Sequence, residues 1–170
     1  MRTIRAAQIR AADDEGALMR LAGYGARFNS YSQDLGGFKE RILPGAFTTS
    51  VSTKADVRFL LNHDANIVLG RTKSNTLRLA QDSEGLRFEV ILPNTQQARD
   101  LYETVKRGDM DQCSFAFTVD DGDDEWSEDV DERGNRFIAR TLKRVNLFDV
   151  SAVTFPAYRD TSVSALGNVS

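Results

Sequence analysis

Apolar residues recur at every second position along much of this 170-residue chain. That period narrows the fold sharply, because side chains that alternate faces belong to half-buried strands and not to helices. Leu77 and Leu79, then Leu86, Phe88, Val90 and Leu92, flank a DSEG turn ending in Gly85 and so predict a hairpin. Met19, Leu21 and Gly23 alternate up to Phe28, and residues 29–37 (NSYSQDLGG) read as a loop. Residues 38–43 make a short strand, and Val57, Phe59 and Leu61 share a face of another that runs into Asn62, His63 and Asp64. Further strands are expected over 110–119, 137–142, 144–150 and 151–155, the last stopped by Pro156.

Two segments break the period. Pro44 followed by GAFTTSVS suits a short helix to about Thr53, since proline's fixed φ and missing N–H are tolerated in a first turn. After Pro93, Asn94 caps a longer helix, Gln97 reaches back to it, and Ala98, Leu101, Tyr102 and Val105 fall on one face before Gly108 ends it. So many strands with two helices predict a mixed, β-rich fold: a single domain over residues 1–170, built as a closed or nearly closed β-barrel, because closure removes exposed edges.

Composition excludes several function classes. The 41% hydrophobic and 28% charged content is that of a soluble globular domain, with no apolar run long enough to span a membrane. The start, MRTIRAAQIR, carries charges where a signal peptide needs apolar residues, so a reducing cytoplasm is expected. Cys113 is the only cysteine and His63 the only histidine, which rules out an intrachain disulfide and a closed zinc site. The net charge of -3 is uneven: residues 120–132 (DDGDDEWSEDVDE) hold nine acids and no base, leaving 16 acids against 22 bases elsewhere. No basic run interleaved with aromatics supports nucleic-acid binding. Gly122 is misplaced for a calcium loop, so residues 120–135 are expected to loop out as a solvated acidic excursion, with no metal.

His63 is the one side chain suited to take and return a proton near neutral pH, although a histidine at a strand end is also a common hydrogen-bonded turn residue. In DQCSFAFTV, Cys113, Phe115 and Phe117 alternate onto one face and Ser114, Ala116 and Thr118 onto the other. The small face leaves room for a substrate beside the Ser114 hydroxyl, while Cys113 falls with the phenylalanines as a buried, inert thiol. A serine nucleophile needs a base, and the base works better when a third group orients it. Asp149, placed by alternation with Leu147, Ser151 and Val153, is a candidate; a surface aspartate fits the pattern equally well.

Taken together, FLLNHDANIVLGRT, the CSFAF strand, LFDVSAVTFPAY and the upstream FKERILPGAF resemble, in order and spacing, the prohead protease family of tailed bacteriophages. The resemblance covers most of residues 20–165. It implies a barrel related to the herpesvirus maturation proteases, with His63 as general base, Ser114 as nucleophile and Asp149 as the third member. Herpesvirus enzymes use a second histidine there, which this chain lacks, and many phage relatives have glutamate at the Asp149 position; Asp64 and Glu89 are the substitutes. Oxyanion donors stay open among backbone N–H groups, Arg71, Arg140 and Arg144.

The implied function is a serine endopeptidase without cofactor or metal. It acts inside the phage procapsid in the host bacterial cytoplasm on scaffolding protein or the scaffold segment of the major capsid protein, and on itself. The herpesvirus relatives work as dimers, so a homodimer is implied as well, and the SALGNVS end suits a self-trimmed product. The competing reading is a non-catalytic capsid assembly or scaffold-binding module on the same fold.

Overall fold

The structure is a computed structural model that describes residues 18–166; the readings of the MRTIRAAQIR start and of residues 167–170 in the SALGNVS end lie outside the described residues. The described residues form one β-rich domain of eleven strands and two helices. The first sheet has the order β11-β1-β6-β5, from Ser162–Leu166, Arg20–Arg27, Gly85–Ile91 and Leu77–Gln81. The second, β4-β3-β10-β7, comes from Asp64–Arg71, Arg58–Leu61, Asn146–Val153 and Gln112–Thr118. The third, β2-β9-β8, comes from Phe38–Ile42, Arg136–Leu142 and Asp124–Val130. Helix α1 is Thr48–Ser52 and α2 is Gln96–Arg107.

Among the described residues none of the three sheets closes on itself, so the expected closed or nearly closed barrel is not seen in their hydrogen bonding. The sheets instead enclose one core, in which the ring of Phe59 on β3 lies 5.1 Å from that of Phe88 on β6. Burying such a ring is worth roughly 1.5–3 kcal/mol, enough to hold two sheets face to face without hydrogen-bonded closure. Glycines allow the approach: a Cβ on Gly23 of β1 would stand 1.9 Å from the Ser162 carbonyl oxygen, and one on Gly25 would meet Val150 of β10 at 3.0 Å. Strand β1 is therefore buried on both faces, where simple alternation predicted one.

The hairpin of β5 and β6 forms as its pattern predicts. Helix α2 starts one residue later than expected: Thr95 accepts the Ala98 N–H at 3.3 Å, while the Asn94 side chain accepts from Arg99. Gly108 closes the helix at φ 86°, a left-handed position that glycine takes without cost. The two strands expected over 144–155 are the single strand β10.

The expected acidic loop is largely strand β8, paired in continuous antiparallel register with β9. Its carboxylates find bases across the pair: Asp124 with Arg140 (2.8 Å), Glu125 with Lys143 (3.3 Å) and Glu128 with Arg136 (3.4 Å). Only the ends of the 120–135 segment are turns. In the same sheet Glu40 is buried, takes the Tyr158 hydroxyl's hydrogen bond at 2.9 Å and meets Arg140 at 3.3 Å. Among the described residues no helix is long and apolar enough to cross a membrane.

Candidate active site

Strand β10 is the centre of the second sheet, parallel to β3 on one side and antiparallel to β7 on the other. Val150 and Ala152 point into the core, so Asp149 and Ser151 point to the opposite face. Residue 148 is an extra, bulged position, because Leu147 pairs with Phe117 while Asp149 pairs with the next residue, Ala116. The bulge corrects the expected alternation: Leu147 goes to the core, while Asp149 stays on the face of Ser151 and Val153. A strand buried on both faces then carries two adjacent polar side chains that must find partners.

His63 supplies them. Leu61 of β3 pairs with Asp64 of β4, so Asn62 and His63 are the two residues of a hairpin turn, and both have positive φ, 49° and 57°. That is the type I′ conformation, which matches strand twist but costs a non-glycine residue on the order of 1 kcal/mol. The end of β10 clamps it. The Asn62 N–H donates to the Ala152 carbonyl at 2.9 Å, the Asn62 side chain accepts the Thr154 N–H at 2.9 Å, and the His63 N–H donates to Ser151 Oγ at 3.2 Å. The imidazole Nδ1 lies 2.6 Å from Asp149 Oδ1, with the carboxylate largely buried and the ring 36% exposed. Nδ1 faces inward, and Nε2 is left for other work.

Ser114 sits on β7 in register with Ser151, on the half-buried small face that alternation predicted, while Cys113 and Phe115 face the core. The structure thus joins His63 to Asp149 by a hydrogen bond and puts Ser114 on the strand beside them. Among the described residues no hydrogen bond links Ser114 to His63. The rival groups are engaged elsewhere. Burial pushes the Cys113 thiol well above its ordinary range, which keeps it un-ionised. Asp64 accepts the Asn66 N–H of its own turn, and Glu89 pairs with Arg20 in the first sheet. Arg71 forks onto Asp56 at 2.7 and 2.6 Å, Arg140 holds Glu40 and Asp124, and Arg144 is exposed, its main-chain N–H on the Asp123 carbonyl. No group of three or more His, Cys, Asp or Glu able to hold a metal gathers among the described residues.

The family model described as caudovirus prohead serine protease matches residues 5–169, nearly the entire chain. The chain belongs to this family. No curated protein matches it in sequence. Prohead serine proteases are peptidases of phage capsid maturation, and the match spans the His63, Ser114 and Asp149 segments. In this member of the family the residue that sequence reasoning passed over is Ser151. It is fully buried and donates to Asp149 Oδ1 at 2.9 Å. Its signal was present only as the second half of the VS pair after Asp149, and a serine there has no assignable partner until β3 and β10 are side by side.

Proposed function

We propose that the protein is a serine endopeptidase of procapsid maturation in which Ser114 is the nucleophile, His63 the general base and Asp149 the group that orients His63. The observation that carries the assignment is the 2.6 Å contact between His63 Nδ1 and Asp149 Oδ1, one strand away from Ser114. With Nδ1–H donated to the carboxylate, the Nε2 lone pair takes the Ser114 proton as Oγ adds to a peptide carbonyl. His63 then returns that proton to the leaving amine, and the carboxylate stabilises the transient imidazolium. Water, deprotonated by the same nitrogen, releases the acyl group and restores Ser114.

Its substrates are scaffolding protein or the scaffold segment of the major capsid protein, together with the chain itself, inside the procapsid. The test is cleavage of co-expressed capsid or scaffolding protein by the purified enzyme and by Ser114→Ala, read by mass spectrometry. Cleavage by the wild type alone is expected. Equal cleavage by both proteins removes Ser114 from the mechanism, and cleavage by neither under assembly conditions favours a non-catalytic scaffold-binding module. Intact-mass analysis of a longer chain tests self-trimming, and sedimentation tests the homodimer.

A further inference from the structure

We propose that Ser151 is a positioning residue of this site: its hydroxyl ties the main chain of His63 to the Asp149 carboxylate and thereby selects the ring tautomer with the proton on Nδ1. The inference rests on the reading of His63 as the base, and it adds a fourth residue to that reading.

The argument is an accounting of hydrogens. Ser151 is 0% exposed, so its hydroxyl has no water to turn to and must satisfy itself within the protein. It has one hydrogen and two lone pairs. The hydrogen is committed to Asp149 Oδ1 at 2.9 Å. The lone pairs then face His63, accepting its main-chain N–H at 3.2 Å and lying 3.3 Å from Nδ1. Two acceptors, the Asp149 oxygen at 2.6 Å and the Ser151 oxygen, therefore converge on the same ring nitrogen. An Nδ1 without a hydrogen would set its lone pair against both. A hydrogen on Nδ1 satisfies both, and Nε2 is then the unprotonated nitrogen that general-base chemistry requires.

The same hydroxyl also steadies the turn. His63 holds a left-handed backbone conformation in a turn that the end of β10 clamps at Asn62, through the Ala152 carbonyl and the Thr154 N–H, and at His63 itself through Ser151 Oγ. Of these, Ser151 alone touches His63 and Asp149 together. Removing it leaves the histidine N–H without its acceptor and the carboxylate with one donor fewer, so both the ring's aim and its tautomer loosen while Ser114 is untouched.

The test uses the fact that the chain has a single histidine, whose ring signals need no assignment. ¹⁵N spectra of Ser114→Ala, which prevents self-cleavage, are compared with those of the same protein carrying Ser151→Ala. We expect the Ser151 form of this background to show one Nδ1-protonated tautomer with a protected Nδ1–H. Ser151→Ala should show mixed tautomers and Nδ1–H exchange faster by about tenfold or more. In the otherwise wild-type enzyme Ser151→Ala lowers kcat by about 10- to 100-fold with KM within about twofold, and Ser151→Thr, which keeps the oxygen, recovers most of the loss. If Ser151→Ala does not fold, Ser151→Cys, close in volume but a poor acceptor, takes its place in both measurements. A folded variant with unchanged tautomer, unchanged Nδ1–H exchange and unchanged kcat overturns the proposal, whatever its Tm. The two readings fail separately: spectra that respond in a protein that never cleaves capsid substrates sink the peptidase assignment and keep Ser151. Spectra and kcat that ignore Ser151 in an active protease do the reverse.

Discussion

In the sheet β4-β3-β10-β7 Asp149 and Ser151 of β10 are buried and spend their side-chain hydrogen bonds on one another and on a single histidine. In the sheet β2-β9-β8 the polar side chains of β8 are mostly exposed, and Asp124, Glu125 and Glu128 each pair with a base of β9 or of the residues after it. The strands of both sheets run from four to eight residues, but only β4-β3-β10-β7 carries register shifts. They differ in what a lost partner costs. A buried donor or acceptor left alone costs about 1–3 kcal/mol and moves its neighbours, whereas an exposed ion pair contributes about 0–1 kcal/mol and is replaced by water. Polar groups in β4-β3-β10-β7 therefore fix a geometry, and those in β2-β9-β8 keep an edge strand soluble and unable to pair with its own copy.

The largest expected effect comes from the sheet β4-β3-β10-β7. Ser114→Ala should lower kcat toward capsid substrates by roughly a millionfold while leaving the thermal unfolding curve in place, as active-site titration and calorimetry on one preparation would show. Asp149→Asn tests the carboxylate with little change in shape. A loss of about ten-thousandfold in kcat is expected, with KM nearly unchanged, and a loss under tenfold would detach Asp149 from the chemistry.

Glu40 sharpens the contrast, because it is the carboxylate of the third sheet that is buried like those of the second. Burial pushes its carboxyl above the ordinary glutamate range, outweighing the Tyr158 hydroxyl and the Arg140 guanidinium that favour the charged form. A carboxyl raised in the folded state contributes most to stability below its ordinary pKa and loses that contribution as pH climbs through the raised value. The stability of the wild type relative to Glu40→Gln should accordingly fall as pH rises from about 4.5, measured by urea midpoints. A difference that stays flat or grows with pH contradicts the burial argument.

The smallest effects are expected where groups are exposed or inert. Arg136→Gln breaks the exposed pair with Glu128 and should leave both activity and Tm unchanged. Cys113 should refuse thiol reagents in the native protein and react once it is unfolded in urea, since it is fully buried and held in the un-ionised form.

The same contrast explains what could be read in advance. The β5–β6 hairpin was legible because burial of one face forces strict alternation from Leu77 to Leu92. Ser114's face and the burial of Cys113 followed from the same period, and the His63 and Asp149 segments from family resemblance. Strand β8 was not legible: its residues are acidic, and only the bases of β9 make a strand of them. Strand β4 opens with Asp64, Ala65 and Asn66, which read as turn residues, and β11 is a SVSAL stretch whose Ser162 is held by the Tyr24 N–H. The bulge at Phe148 and the partners of Ser151 belong to pairings between distant strands, which no local pattern encodes.

Strand β10 also sets a clock. His63 waits for partners that lie 86 and 88 residues further along the chain. At bacterial rates of about 5–20 residues per second, roughly 4 to 18 seconds of synthesis separate the histidine turn from Asp149 and Ser151. During that interval β3 and β4 can form their hairpin, but the turn has neither its clamp nor its carboxylate. The long loop that β10 must then close adds its own delay, since pairings of high sequence separation are slow. A nascent chain therefore carries an unassembled site until β10 has been made and has paired with β3.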